Sequence, residues 1–215
     1  MGRPLSRAGL AVLAAGWLTL AASVGLETVK LPAPETSGGK ALIDALRLRR
    51  STRDFRPQPL SPRMLSNLLW AAFGINRPAS GGRTAPSAWN QQEIDIYVVT
   101  AEAAYLYRPA PHALEPVVAG DWRLLAGTDA FFREAPVLLL YVADFARTPK
   151  TAEADRRYYA AAHAGFIGQN VYLYCASAGL GAVFADSVDR TAMAHKLGLR
   201  PEQHITFVQA VGYPR

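Results

Sequence analysis

The residues best suited to chemistry form a short basic segment near the start of the chain. It reads Arg49-Arg50-Ser51-Thr52-Arg53, with three guanidinium groups and two hydroxyls within five residues. A planar guanidinium donates paired hydrogen bonds to phosphate oxygens, and a hydroxyl adds a further donor. A solvated basic turn at the end of a helix is the alternative interpretation. The pattern favours a site for a phosphate or another small anion.

Two further segments carry groups that could border a ligand. Residues 83–92 read Arg-Thr-Ala-Pro-Ser-Ala-Trp-Asn-Gln-Gln, so small side chains, hydroxyls and amides lie together. Such a loop can approach a flat ligand closely and offer directional hydrogen bonds. In residues 179–187, Gly179 and Gly181 allow a tight turn from a helix into a strand, whose end can present backbone groups. Taken singly, these segments also fit an ordinary polar loop and a common helix end.

The histidines and the single cysteine indicate neither a metal site nor a hydrolytic triad. No His or Cys pair has zinc-ligand spacing, and the Gly-x-Ser-x-Gly pattern of a serine nucleophile is absent from the sequence. His163 is the histidine that could approach a substrate, although a packed, hydrogen-bonded histidine is the interpretation we favour. Cys175 lies in an apolar helical stretch and is predicted to be a buried thiol.

The elements that must position these segments follow from hydrophobic periodicity. Helices are predicted at 40–48, 62–73, 121–133, 155–178 and 190–197. Strands are predicted at 93–100, 104–107, 112–118, 136–142, 182–185 and 205–211. Residues 76–92 are predicted as a long irregular loop. Helices mixed with hairpins indicate an α+β or mixed sandwich, and no strand precedes the glycine fingerprint of a doubly wound dinucleotide fold.

The first 26 residues have the pattern of a secretory signal peptide. A basic start with two arginines is followed by an apolar run that ends in small residues. An uncleaved membrane anchor is the alternative, because an apolar run of about 18 residues can span a bilayer. Residues 27–39 are predicted as a linker and residues 40–215 as the domain. We therefore expect an exported, periplasmic protein, or a membrane-anchored one that meets the membrane only through this segment.

The charge balance argues against a nucleic-acid partner. The chain has 23 Lys and Arg against 17 Asp and Glu, and the excess is smaller once Arg3 and Arg7 of the leading segment are set aside. The basic residues are scattered outside 49–53, with no basic stripe or nucleic-acid module.

In combination, these segments resemble the nitroreductase family. The matching motifs are the Arg-Arg-Ser-Thr-Arg cluster, Ala-Pro-Ser-Ala-Trp-Asn-Gln-Gln, the Gly-Leu-Gly turn before Leu-Gly-Leu, and the terminal Val-Gly-Tyr-Pro. Their order and separations also match, over about residues 41–215. The Arg-Thr-Ala-Pro-Ser-Ala segment, the Tyr-Leu-Tyr hairpin and the His-Ala-Leu-Glu-Pro segment at 112–116 are most similar to one branch. That branch includes the dehydrogenases that form thiazoles and oxazoles in modified peptides.

The resemblance implies a three-layer sandwich, in which a central, mostly antiparallel sheet is flanked by helices. It also implies a homodimer that binds FMN at the subunit interface. The residues implied to hold the phosphate and ribityl chain are Arg49, Arg50, Ser51 and Arg53. Those implied to reach the flavin from the opposite subunit are Pro86, Ser87, Ala88 and Asn90. The backbone implied to border the ring belongs to Ala185, Asp186 and Ser187. Arg215 is implied to complete the phosphate site.

Two positions depart from the family pattern. Many members have Pro-Trp where this chain has Glu93-Ile94, and two glycines often lie beside the flavin where this chain has Asp186-Ser187. A carboxylate facing the ring would disfavour negative charge on a reduced flavin. We favour the interpretation in which only the backbone of Asp186 faces the ring.

The resemblance implies a two-step reaction. NADH or NADPH delivers hydride to the flavin, and an electron-poor acceptor such as a nitro compound or quinone then takes two electrons; no catalytic side chain is nominated. One alternative is an exported flavin dehydrogenase that oxidises a substrate with oxygen or quinone as acceptor. Another is a non-catalytic module that binds a flavin or a phosphate-bearing ligand.

Overall fold

A seven-stranded antiparallel sheet forms the centre of the structure, a computed structural model that describes residues 26–215. The strands are β1 (Val29–Lys30), β2 (Ile75–Arg77), β3 (Gly82–Arg83), β4 (Ile94–Val99), β5 (Ala103–Arg108), β6 (Ala113–Ala119), β7 (Val137–Asp144), β8 (Gly181–Ala185) and β9 (Gln203–Gly212). Their order in the large sheet is β1-β6-β5-β4-β7-β9-β8, while β2 and β3 form a separate small hairpin. The six strands predicted from the sequence are all present, with ends that differ by at most two residues.

Helices cover both faces of this sheet. They are α1 (Leu42–Leu48), α2 (Pro62–Phe73), α3 (Arg123–Ala126), α4 (Phe131–Glu134), α5 (Arg156–Ala178) and α6 (Arg190–Leu197). One core cluster packs α2 and α5 against one face, and a second packs α3, α4 and α6 against the other. All eight residues of β7 are buried, because this central strand is covered on both sides. The structure confirms the predicted α+β sandwich.

The two long helices begin and end where the sequence places their caps. At the start of α2, the Ser61 hydroxyl accepts a hydrogen bond from the Met64 backbone N–H at 3.2 Å, and Pro62 takes the first helical position. Helix α5 ends at Gly179, which adopts the left-handed conformation with φ 74°. Gly168 lets α5 approach the sheet, since a Cβ there would lie 2.6 Å from the Phe184 ring.

The helix predicted at 121–133 is wrong as a single element. The structure has two short helices there, α3 and α4, separated at Gly127. The position that a Cβ of Gly127 would take is filled by the ring of Phe132, and the next residue, Thr128, donates its N–H to the Ser187 carbonyl at 2.9 Å. This tertiary contact competes with continued helix, and the apolar spacing of the segment fits both outcomes.

Residues 27–39, predicted as a linker, lie against the domain where the structure describes them. Val29 and Lys30 pair with β6, Leu31 is buried, and the Glu35 backbone N–H donates to Asn67 Oδ1 at 2.8 Å. The predicted signal peptide lies outside the described residues except for its last residue. Between residues 26 and 215, none of the helices has both the length and the apolar composition needed to cross a bilayer.

Helix α1 leaves its apolar side open to solvent. The predicted helix at 40–48 is present from Leu42, and its apolar positions face outward; they are exposed by 43 to 73% and are Leu42, Ile43, Leu46 and Leu48. On the neighbouring α5, Phe166 is also exposed, by 47%. Several exposed apolar side chains on one short helix are typical of an interaction surface.

Candidate functional site

The basic segment runs beside the edge strand β8 at the end of α1. Ser51 forms an isolated bridge with Ala182, and the Thr52 backbone N–H donates to the Ala182 carbonyl at 2.8 Å. Gly181 permits this close approach, because a Cβ there would lie 2.7 Å from Thr52 Cγ2. Farther along, Phe55 is fully buried and bridges to Pro214. The backbone is therefore fixed, which leaves the polar side chains available.

A cavity of about 480 Å³ opens at this segment and is lined by cations. Lys40, Arg47, Arg49 and Arg50 contribute to its wall, and no carboxylate lies among its described lining residues. The Arg49 guanidinium lies 5.2 Å from the centroid of the Tyr172 ring, a cation–π arrangement. Such a cavity is electrostatically suited to a phosphate group.

Tyr172 connects the basic segment to β8, a role that the sequence did not indicate. Its hydroxyl accepts a hydrogen bond from the Phe184 backbone N–H at 2.8 Å and lies 3.0 Å from Ser51 Oγ. When the tyrosine donates to the serine, the Ser51 proton is left to donate to a ligand. Because 121 residues separate Ser51 from Tyr172, only the folded chain shows this contact.

Arg53 and Arg215, also predicted to bind the phosphate, lie outside the lining of this cavity. Arg53 is exposed. Arg215 lies 3.6 Å from an oxygen of Asp54 and 3.3 Å from one of Glu134, so two carboxylates already neutralise it. Within one chain, the cavity lining therefore contains Arg49 and Arg50 but not these two arginines, and Ser51 lies next to the lining through its contact with Tyr172.

The second segment has a strained backbone. Trp89, Asn90 and Gln92 have φ of 52°, 54° and 50°, which costs non-glycine residues about 1–3 kcal/mol each. Hydrogen bonds from Gln92 offset this cost: its backbone N–H donates to Ser87 Oγ at 2.9 Å and its Nε2 to Asn90 Oδ1 at 2.8 Å. Arg83 Nε donates to Gln92 Oε1 at 2.9 Å. The loop is shaped by its own side chains.

These bonds leave donors at the loop surface. Ser87 Oγ and Asn90 Oδ1 are both used as acceptors by Gln92. The hydroxyl proton of Ser87 and the Nδ2 protons of Asn90 remain for a ligand that offers acceptors. Beside them, Pro86 carries no N–H, and Trp89 is 56% exposed with its ring centroid 5.6 Å from that of Tyr159.

A buried imidazole lies beneath the loop. His163 Nε2 accepts a hydrogen bond from the Ala88 backbone N–H at 2.9 Å, and its Nδ1 hydrogen-bonds to Glu93 Oε1. The His163 side chain is 5% exposed and the Glu93 side chain 1%. His163 is thus packed and hydrogen-bonded, as the sequence favoured, whereas the part played by Glu93 was missed. Its signal was the departure from the family pattern at this position.

The third segment follows β8. Ala185 ends the strand opposite Val208, Asp186 forms an ion pair with Arg190, and the Ser187 carbonyl accepts the Thr128 N–H. Because the Asp186 carboxylate is directed to Arg190, the interpretation that gives only its backbone to a ligand is favoured.

A second cavity, of about 310 Å³, borders Asp186. Its wall includes Phe145, His204 and Phe207, and the His204 ring stacks on Phe145 with centroids 4.7 Å apart. Burial lowers the pKa of His204, and the charge of Arg157 lowers it further, so the ring is neutral at neutral pH. The cavity offers aromatic walls to a small flat molecule.

Helix α5 separates the basic segment from the strained loop. His163, under the loop, and Tyr172, beside the basic segment, are nine residues apart. At 3.6 residues per turn they lie on opposite sides of the helix, about 14 Å apart along its axis. One chain therefore does not bring these two segments together.

The comparisons with known proteins all identify the same family. The model of the nitroreductase family matches residues 46–213. A predicted nitroreductase of Methanocaldococcus jannaschii is 34% identical over 168 residues, which cover 73% of this chain and 83% of the relative. The crystal structure of a predicted nitroreductase of Ralstonia eutropha is 40% identical with a TM-score of 0.83, covering 87% of this chain and 90% of that one.

A more distant structure shares the fold. A chain of the Escherichia coli microcin synthetase complex with its truncated precursor is 21% identical with a TM-score of 0.70, covering 96% of this chain and 85% of that one. At that identity the likeness concerns the fold alone.

Proposed function

This chain belongs to the nitroreductase family and is an oxidoreductase, as predicted, and from that premise we propose that it is an FMN-dependent enzyme. In the proposed reaction, two electrons pass from NADH or NADPH to the cofactor and then to an electron-poor acceptor such as a nitro compound or quinone. The observation that carries the proposal is the cationic cavity at Arg49 and Arg50.

The residues at this cavity fit a phosphate-bearing cofactor. Three guanidinium groups, an ammonium group and hydroxyls line or border it, and its described wall has no carboxylate to repel an anion. In the proposed complex, Arg49 and Arg50 bind the phosphate and Ser51 donates to it. Arg53 and Arg215 would join only after they turn toward the cavity, and Arg215 would have to exchange its carboxylate partners.

We further propose a homodimer that completes the site. The strained loop of one chain lies across α5 from its own basic segment, so the loop of a second copy must supply the donors of Ser87 and Asn90. The exposed apolar face of α1 and Phe166 on α5 provide the surface that such a copy would cover. Burying this surface is favourable, at about 25 cal/mol per Å² of apolar area.

The remaining residues would position the reactants. FMN, when bound, supplies the uptake and release of two electrons. In the proposed complex, the backbone of Ala185, Asp186 and Ser187 borders the ring. The cavity next to Asp186, with Phe145, His204 and Phe207 in its wall, then gives a small flat acceptor a place to bind beside the ring.

The absorption spectrum of the purified protein tests this proposal. We expect flavin bands, a dimer in solution, and anaerobic bleaching of the bands by NADH or NADPH that a nitro compound or quinone reverses. Bleaching by another substrate, with recovery by oxygen, would favour the dehydrogenase alternative. Flavin bands that no donor changes would favour the binding module. A colourless monomer that stays apo in excess FMN would refute the proposed function.

We also propose export of the chain, on the sequence pattern of its first 26 residues. Cell fractionation with N-terminal sequencing of the mature protein tests this. A new N-terminus near residue 27 in the periplasm is expected, an intact N-terminus in the membrane fraction would show an anchor, and an intact soluble cytoplasmic chain would refute export.

A further inference from the structure

The buried contact between Glu93, His163 and Ala88 determines the protonation of the imidazole. Nε2 accepts the Ala88 N–H, so this nitrogen carries a lone pair and no proton. The ring proton of the neutral imidazole must therefore be on Nδ1, where it is donated to Glu93 Oε1. The reversed tautomer would place two donors against each other at Ala88.

Glu93 and His163 are both anchored in the core. The Glu93 carbonyl accepts the Asp144 backbone N–H at 2.9 Å and Arg147 Nη2 at 2.8 Å, which fixes Glu93 at the start of β4. On α5, His163 itself is buried, and so are Ala160, one turn before it, and Ala164, which follows it. The two side chains thus connect the rigid sheet and helix to a loop peptide.

The hydrogen bond from the Ala88 N–H to His163 lies next to the loop residues whose backbone conformation is least favourable. Ala88 directly precedes Trp89 and Asn90, the first two of the positive-φ residues. Without an acceptor the Ala88 N–H would be left unpaired near the core, so the loop would gain by moving to reach water. Glu93 Oε2 has no hydrogen-bond partner among the described residues although it is buried, so the carboxyl group contributes through Oε1 alone.

We infer that Glu93 and His163 are positioning residues of the flavin site: Glu93 fixes the tautomer of His163, whose Nε2 then holds the Ala88 peptide and the loop 86–92 in its ligand-binding shape. This inference rests on the proposed function for its effect on FMN. The tautomer of His163 and the shape of the loop 86–92 do not depend on a bound flavin. Neither residue touches the reacting atoms.

Nuclear magnetic resonance of ¹⁵N-labelled protein tests the tautomer directly. We expect His163 to show a protonated Nδ1 and an unprotonated Nε2, with a hydrogen-bond coupling from the Ala88 amide to Nε2. A proton on Nε2 in the folded protein would overturn the inference. This experiment needs no flavin, so it remains decisive if the protein binds none and the proposed function fails.

A pair of substitutions at Glu93 tests the consequence. Glu93→Gln keeps an oxygen acceptor for Nδ1–H, whereas Glu93→Met has a similar length and no such acceptor. We expect the first variant to bind FMN within about threefold of the wild type, and the second to bind about tenfold more weakly, since tenfold corresponds to about 1.4 kcal/mol. Flavin fluorescence measures the dissociation constants, and the His163 tautomer is followed in both variants.

A matched control is the exposed Glu115, which pairs with Arg108 on the sheet surface. Glu115→Gln and Glu115→Met should both bind FMN as the wild type does. Equal FMN binding by the two Glu93 variants would refute the positioning role. If Glu93→Met does not fold, His163→Gln against His163→Leu repeats the comparison, because only glutamine offers the Ala88 N–H an oxygen acceptor.

Discussion

The two segments proposed to hold the cofactor are fixed in opposite ways. Residues 49–53 are held by their backbone, through the bond from the Thr52 N–H to the Ala182 carbonyl, while the side chains of Arg49 and Arg50 line the cavity. Residues 83–92 are held by side chains, since Gln92 and Arg83 bond within the loop and His163 bonds from below. The first segment has an ordinary backbone, and the second has three non-glycine residues at positive φ.

This difference indicates that the two segments have different roles: residues 49–53 bind the ligand, and the side chains of residues 83–92 maintain the shape of the loop. Side chains that make no internal bonds can pair with a ligand, so the basic segment should determine affinity for the phosphate with little effect on stability. Side chains that already hydrogen-bond to a strained backbone are not free to bind a ligand. The loop should therefore contribute to the form of the site, together with the few donors that remain unbonded. Substitutions in the two segments should therefore alter different measured quantities.

The largest effect is expected from Arg49→Ala combined with Arg50→Ala. Loss of two guanidinium partners should weaken FMN binding on the order of a thousandfold, or about 4 kcal/mol, because hydrogen bonds to charged groups are worth about 1.5–3 kcal/mol each. Urea unfolding of the apo protein should change by less than about 0.5 kcal/mol. Arg56→Ala, an exposed arginine outside the cavity lining, is the control. Unchanged FMN binding by the double variant would contradict the assignment of the cavity.

The next largest effect is expected from Arg83→Met, and it should fall on stability. Arg83 donates to Gln92 Oε1 and, at 3.0 Å, to the Phe73 carbonyl, and its guanidinium lies 4.9 Å from the Phe73 ring centroid. Removing these donors should lower the free energy of unfolding by about 2–3 kcal/mol. Urea unfolding measures this, with the exposed Arg56→Met as control. A stable Arg83→Met protein would show that the loop does not depend on its side chains.

Much of the fold could be predicted because local patterns determine it. The Ser61 cap and Pro62 set the start of α2, Gly179 sets the end of α5, and the continuous apolar run of β7 matches a strand covered on both faces. In each case the residues that decide the structure lie within one element or beside it.

The features that the sequence did not reveal depend on partners far away in sequence. The break at Gly127 is set by the packing of Phe132 and by the bond to Ser187, and the packing of the predicted linker requires Asn67 on α2. The site shows the same limit. The basic segment was identified from residue types alone, while the shape of the strained loop depends on His163, 75 residues from Ala88.

Tyr172→Phe tests the link between the basic segment and β8, with an intermediate effect. The change leaves the Phe184 N–H and Ser51 Oγ without this partner and should lower the free energy of unfolding by about 1 kcal/mol. FMN binding should weaken by a few fold, because Ser51 loses a fixed orientation. Tyr158→Phe, at a side chain 75% exposed, should have neither effect. A loss of FMN binding equal to that of the double arginine variant would show that the backbone bonds of residues 49–53 are not sufficient to position the segment.

His112 is a half-buried imidazole whose hydrogen-bond partners are hydroxyl groups, and its substitution should produce the smallest effect. Its Nδ1 lies 3.0 Å from the Tyr107 hydroxyl and its Nε2 2.7 Å from Ser66 Oγ, which itself donates to the Pro32 carbonyl. Burial lowers the pKa of His112 below its ordinary 6.5, so the unfolded chain binds the proton more readily than the folded one. The stability that this histidine contributes is therefore complete above pH 6.5 and declines as the pH falls below it.

His112→Asn should reduce this loss of stability on acidification, when urea unfolding is compared at neutral and mildly acidic pH. Part of the pH dependence should remain, because burial also lowers the pKa of His204 and acts with the same sign. If His112→Asn and the wild type lose equal stability on acidification, the partial burial of His112 does not contribute to the pH dependence of the fold.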